Sequence, residues 1–194
     1  MDFRIKVRRA AEKDKLLQKE LLAACAVDPL FFINVFCYIL EPREGEEASG
    51  MIAFNTWEHQ DPVVASIAFY LGRRHIIGDK SRAQGASWMM VALFVWAFLF
   101  KPNCVLGIGS KDESTADDPD NPESLGWKID FILSMLPGWM LPEFERKASK
   151  HTWSNKDNGA YIKAYAATAG IGRGGRPQGQ VRPREFENVR RPIR

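Results

Sequence analysis

The segment GDKSRAQGAS, Gly78 to Ser87, carries the residue types that phosphate chemistry requires. Binding a phosphate calls for backbone N–H groups gathered at a helix start, plus a cation that reaches the terminal phosphates. Gly85 lets the backbone approach closely, and Ser87 falls at the helix start, where a hydroxyl can ligate Mg²⁺. The usual motif places Lys immediately before that Ser. Here the position holds Ala86, so the cation must come from elsewhere. Lys80, at the beginning of the loop and followed by Ser81, is the first candidate. Arg82 is the second, and its fork geometry could instead serve charge that develops during phosphoryl transfer. On spacing alone, the segment is equally a strand–turn–helix with surface charges.

Other chemistries have little support. Cys25, Cys37 and Cys104 are widely spaced and form no CxxC pair, and His59, His75 and His151 share no ligand spacing with them. That pattern disfavours a zinc site or a disulfide framework and fits a reducing compartment, with the cysteines as small core residues. The 194 residues are 45% hydrophobic and 26% charged, as expected of a globular domain, with a formal charge of +3. Seven Arg against two Glu follow from Arg173 onward, so this tail carries about +5 and the body sits near −2. No secretory signal opens the chain. The longest apolar run, Trp88 to Phe100, is shorter than the ~20 residues of a membrane span and reads as a buried helix.

The elements that must position the loop follow from periodicity and breakers. Leu16, Leu17, Leu21 and Leu22 are spaced as on one helix face. Asp28-Pro29 reads as an N-cap and first-turn proline opening a second helix through LFFINVFCYIL. EPREGEEASG reads as a loop, and another helix follows Asp61-Pro62 through VVASIAFYLGRR. HII, ending at Gly78, reads as a buried strand, Ser87–Phe100 as a helix and Cys104–Ser110 as a second buried strand. Strand, glycine loop, helix and strand compose a right-handed βαβ unit with a parallel sheet. SLGWKIDFILSMLP gives one more helix, and Ala160–Thr168 alternates as a strand after an Asn158-Gly159 turn. From Gly170 the chain is rich in Gly, Pro and Arg and reads as a solvated, disordered tail.

Taken in order, these blocks resemble the N-terminal ATPase region of bacteriophage terminase large subunits, the motors that drive DNA into viral capsids. KSRAQGAS resembles their P-loop with its displaced lysine. DPLFFINVFCYILEPR resembles their helical entry, and NTWEHQDPVV the segment carrying an adenine-contacting Gln. ASWMMVALFVWAFLFKP, VLGIGSKDE, NPESLGWKIDFILSMLPGWMLP and NGAYIKAYAATAGIGRGGR resemble the blocks that lead up to the Walker B strand. The likeness covers roughly Asp28 to Arg176. No single block decides it; the ordered series does.

The resemblance implies an α/β fold of P-loop NTPase type (RecA/ASCE), a parallel sheet flanked by helices. It divides the chain into a helical segment (1–50), a partial ATPase domain (51–172) and the basic tail (173–194). The implied cofactors are ATP and Mg²⁺. Gln60 would hydrogen-bond the adenine with Trp57 packed nearby, Lys80 would contact the β- and γ-phosphates, Gly85 would shape the loop, and Ser87 would hold Mg²⁺. Arg82 or Arg173 would supply transition-state charge. Each has a bland counterpart: Gln60 as a solvated helix start, Trp57 as core, Arg173 as part of the tail. Implied partners are double-stranded DNA, the terminase small subunit, the portal protein and further copies in a ring. The implied setting is the infected host's cytoplasm, with no membrane.

The sequence departs from the family after GRGGR. There the motors continue with an apolar strand ending in Asp-Glu, whose Asp orders Mg²⁺ and whose Glu activates water. Here PQGQVRPREFENVRRPIR has no four-residue apolar run and no Asp, and Glu185 and Glu187 flank Phe186 in a polar stretch. Without those carboxylates hydrolysis should be weak even where nucleotide binds. The expectation is a frameshifted or truncated gene. A split motor and a standalone partner are the alternatives. A sheet short of its central strand is expected to be marginally stable or to associate with another chain. The competing class is a non-catalytic accessory protein that binds nucleotide, or nucleic acid through the Arg-rich tail. A P-loop kinase or general nucleotide-binding fold is a third reading with no distinguishing motif.

Overall fold

The computed structural model describes residues 3–41, 50–74, 76, 85–166 and 179–181. Three helices open it: α1 (Phe3–Ala11), α2 (Lys15–Val27) and α3 (Pro29–Phe36). Aspartates set two of the starts. Asp14 accepts from the N–H groups of Leu16 and Leu17, and Asp28 from those of Leu30 and Phe31, with Pro29 beginning α3. The helix expected through Leu40 stops at Phe36. Arg8 on α1 donates to the Phe36 carbonyl at 2.7 Å and Arg4 to that of Cys37 at 2.5 Å. These are carbonyls that a continuing helix would need. The chain extends instead into β1 (Tyr38–Glu41), antiparallel to β2 (Gly50–Ala53).

Helix α4 (Asp61–Tyr70) ends short of the expected Arg74 because Gly72 turns the chain at φ 75°. Helix α5 (Ala86–Phe100) matches the apolar run. Every residue from Val91 to Phe98 is buried, as befits a helix hydrophobic on all sides. It runs through the centre of a core shared by Phe32, Ile129 and Trp153, and the Trp96 indole N–H donates to the Cys25 carbonyl at 2.7 Å. The N-terminal helices and the later elements thus bury their side chains together. Among the described residues no helix is long and apolar enough to cross a membrane.

The chain is α/β with a mixed sheet. Strand β3 (Val105–Ser110) lies parallel to β6 (Tyr161–Ala166) along its whole length, from Val105 opposite Tyr161 to Ser110 opposite Ala166. Between them run α6 (Glu113–Ala116), α7 (Leu125–Met135) and the hairpin of β4 (Phe144–Lys147) and β5 (Thr152–Asn155). β5 pairs antiparallel with β6, so the expectation of a purely parallel sheet is corrected. Part of the segment expected as a solvated tail forms β7 (Gly179–Val181), parallel to β3 at Leu106–Ile108. The strand order is β4-β5-β6-β3-β7. The strand expected at HII lies outside the described residues except for Ile76, which is exposed and unpaired. Of the βαβ unit it would open, the helix and the second strand are described, as α5 and β3.

Candidate functional site

The loop before α4 is fixed by polar bonds from two helices. Arg4, buried, donates to the Phe54 carbonyl at 2.6 Å and to Asn55 Oδ1 at 2.8 Å. Asn34 on α3 accepts from the Thr56 N–H at 2.9 Å and donates to Thr56 Oγ1 at 2.8 Å. That hydroxyl donates in turn to Asp61 at 2.5 Å. The next turn is closed by Gln60. Its N–H donates to the Trp57 carbonyl at 2.7 Å, and its side-chain oxygen accepts from the Trp57 N–H at 3.1 Å.

With its oxygen so engaged, the Gln60 amide turns its nitrogen toward Gly85. A β-carbon built on Gly85 would stand 3.6 Å from Gln60 Nε2. Two residues 25 positions apart are therefore neighbours, and Gln60 is 7% exposed rather than solvated. Trp57 is 52% exposed and leans on His59 at 5.3 Å, so the core reading of this tryptophan does not hold.

Gly85 caps α5 in the left-handed conformation (φ 64°, ψ 9°), where a glycine costs least. Among the described residues no side chain caps this helix start. Its first-turn N–H groups therefore look for other partners, and a 15-residue helix presents about half a positive charge there. Ala86 and the exposed Ser87 occupy that turn. The arrangement suits an anion on the α5 amides with a hydrogen-bonding amide beside it, and Ser87 sits where a hydroxyl meets such a group. Lys80, Ser81, Arg82 and Arg173 lie outside the described residues.

The two helices run side by side. Gln60 at the start of α4 meets Gly85 at the start of α5, while Ala68 and Phe69 share a cavity wall with Lys101 and Pro102 just past α5. The chain leaves α4 at the far end and enters α5 at the near one.

A second polar cluster escaped the sequence reading. Asp117, buried after α6, accepts from Arg146 Nη2 with both oxygens, at 2.7 and 2.8 Å, and contacts His151 Nδ1 at 2.9 Å. His151 Nε2 faces Glu113 at 2.9 Å. Arg146 Nε donates to Asp130 at 3.1 Å, its guanidinium lies 3.9 Å from the Trp153 ring centre, and the Trp153 indole donates to Asp130 at 2.6 Å. Burial raises the Asp130 pKa, while Trp153 and Arg146 pull it back. The cluster ties α6, α7, β4 and β5 together at the carboxyl end of the parallel strands, where His151 accepts from the Ala164 N–H. Arg146 and His151 follow Asp117 by 29 and 34 residues, a distance no local pattern spans.

The cysteines are buried, as expected. Burial pushes the Cys25 thiol up to about 12 and that of Cys104 to about 11, and raises Cys37 as well. Among the described residues no three His, Cys, Asp or Glu side chains are placed to hold a metal ion. No protein-family model matches the chain, and no curated protein matches it.

Proposed function

We propose that this chain is the nucleotide-binding part of a DNA-packaging ATPase of the terminase large-subunit type, holding ATP at the start of α5. One observation carries the reading: the buried Gln60 amide beside Gly85, at a helix start that no side chain among the described residues caps. The α5 amides and Ser87 would hold phosphates and Mg²⁺, with Lys80 as the cation and Arg82 or Arg173 for developing charge. Gln60 would read the base edge, and exposed Trp57 is available to cover it. The bound nucleotide supplies the free energy of its terminal phosphate bond. The protein's part is to fix the phosphates and exclude water from them. Double-stranded DNA, the small subunit, the portal and a ring of copies are the partners this reading brings, in the host cytoplasm.

A second reading is a non-catalytic, nucleotide-binding accessory protein of the packaging assembly. β7 favours it: Gly179–Val181 takes the place beside β3, and its Gly-Gln-Val sequence supplies no carboxylate.

Melting curves with and without millimolar ATP, ADP or GTP test both. A ligand at about 100 times its dissociation constant adds about 2.7 kcal/mol, or roughly 5–10 °C for a chain of this size. ATP and ADP are expected to shift the melt, GTP less, and Gln60→Ala should narrow that difference. No shift with any nucleotide defeats both readings. A shift without turnover fits a hydrolysis-deficient motor remnant and the accessory protein alike, and turnover lost in Lys80→Ala selects a working motor.

A further inference from the structure

The far end of the α4–α5 pair gathers cations with no carboxylate among the described residues there. Past Gly72 the chain folds back, and the N–H groups of Arg73 and Arg74 reach the Tyr70 carbonyl at 2.8 and 3.1 Å. This lays the Arg73 guanidinium 4.9 Å from the Phe69 ring and that of Arg74 5.4 Å from the Tyr70 ring. Lys101, just past α5, stands 4.6 Å over Trp96. Among the described residues none of these three cations forms an ion pair. A cavity of 260 Å³ opens here, lined in part by Phe69, Leu71, Arg73, Lys101 and Pro102 and, among the described residues, by no Asp or Glu. Phe69 remains 60% exposed at its rim.

Helix ends attract cations without any ligand, each terminus carrying about half a negative charge. Two such ends offset about one of the three positive charges and leave the mouth positive. The dipoles explain neither the exposure of Phe69, which carries Arg73 over its ring and Tyr70 edge-on yet stays 60% exposed, nor the cavity beside it. A positive groove with an exposed aromatic ring is how proteins hold unpaired strands: phosphates meet the cations and a base lies on the ring. At 260 Å³ the cavity falls below the range that buries a drug-sized ligand and suits a single base.

We propose that this mouth binds single-stranded nucleic acid, with phosphodiesters on Arg73, Arg74 and Lys101 and one base on Phe69. The site stands apart from the start of α5, at the opposite end of the helix pair, and does not depend on nucleotide there.

Fluorescence anisotropy of a labelled oligothymidylate with the full chain tests it, at several salt concentrations between about 50 and 200 mM. The Arg73→Glu, Arg74→Glu, Lys101→Glu triple variant is expected to weaken binding at least tenfold. Its log–log salt slope should be shallower by about 2, from three lost contacts at about 0.7 each. Phe69→Ala should cost roughly 5- to 100-fold and leave the slope unchanged. Lys15→Glu with Lys19→Glu, exposed lysines on α2, should leave affinity as it was. Unaltered melting temperatures in all variants keep the comparison fair. Failure of the wild-type chain to bind overturns the proposal, as does a triple variant that binds like wild type, which would move binding to other arginines. Loss in the triple variant with none in Phe69→Ala also overturns it, since any polyanion, an acidic peptide included, would then suffice.

Discussion

Gly126, in the first turn of α7, touches the centre of the Asp117 cluster, and Gly126→Ala should unfold the chain at a distinctly lower temperature. A β-carbon there would stand 1.9 Å from Asp117 Oδ1, 2.6 Å from its Cγ and 2.9 Å from its Cβ. No atoms coexist at such distances, so the Asp117 side chain must move. It has nowhere to go without releasing Arg146, which it holds at 2.7 and 2.8 Å, and His151, at 2.9 Å. Its side chain is 1% exposed, so water cannot replace them. Breaking a buried pair costs about 3–5 kcal/mol, and alanine in place of glycine in a helix returns about 1 kcal/mol. The net is a loss of about 2–4 kcal/mol, which lowers the melting temperature by roughly 4–16 °C at 2–4 °C per kcal/mol. Circular dichroism melts of the wild type and the variant measure it. Gly138→Ala is the control: a β-carbon there meets nothing within 4 Å, and its change should stay within about 0.5 kcal/mol. A Gly126→Ala protein that melts within about 2 °C of wild type refutes the claim that Asp117 is immovably held.

Arg4→Met should leave the buried Phe54 carbonyl without its guanidinium donor, while the Cys37 carbonyl keeps the Phe54 N–H at 3.1 Å, at about 1–3 kcal/mol, read as a lower urea midpoint with an unchanged slope. A midpoint equal to wild type would mean these bonds are dispensable. The raised thiols predict that a thiol-reactive chromogenic disulfide at pH 8 labels no cysteine in the folded chain and all three in denaturant. They also predict a pH trend. The unfolded thiols ionise near 9 and the folded ones only at about 11 to 12, so stability declines as pH climbs through that window. A flat stability profile from pH 8 to 10 would contradict it.

What could be read from sequence was local. Asp28-Pro29 carries its own N-cap chemistry, Val91–Phe98 declares itself by unbroken apolarity, and Gly159, at φ 72°, marks the turn before β6. Non-local closure was not readable. α3 yields to β1 because arginines from α1 take its carbonyls. β5 buries Thr152 and Asn155, polar residues that look like loop until Asn155 Nδ2 is seen donating to the Phe98 carbonyl at 2.8 Å. The nearness of Gln60 to Gly85 was not readable either, because nothing in either segment points to the other.

A nucleotide held between Gln60 and the first turn of α5 would release or absorb heat as it binds. Calorimetric titration of Mg-ATP into the full chain is the decisive experiment, with Gly85→Val as the paired variant, whose β-branched side chain strains the left-handed backbone at φ 64° beside Gln60 Nε2, 3.6 Å from the new β-carbon. One-site saturable binding is expected, with a dissociation constant between about 1 μM and 1 mM, −8 to −4 kcal/mol. Binding should be at least tenfold weaker in the variant. Absence of saturable heat from the folded wild-type chain, or equal affinity in both proteins, would contradict it.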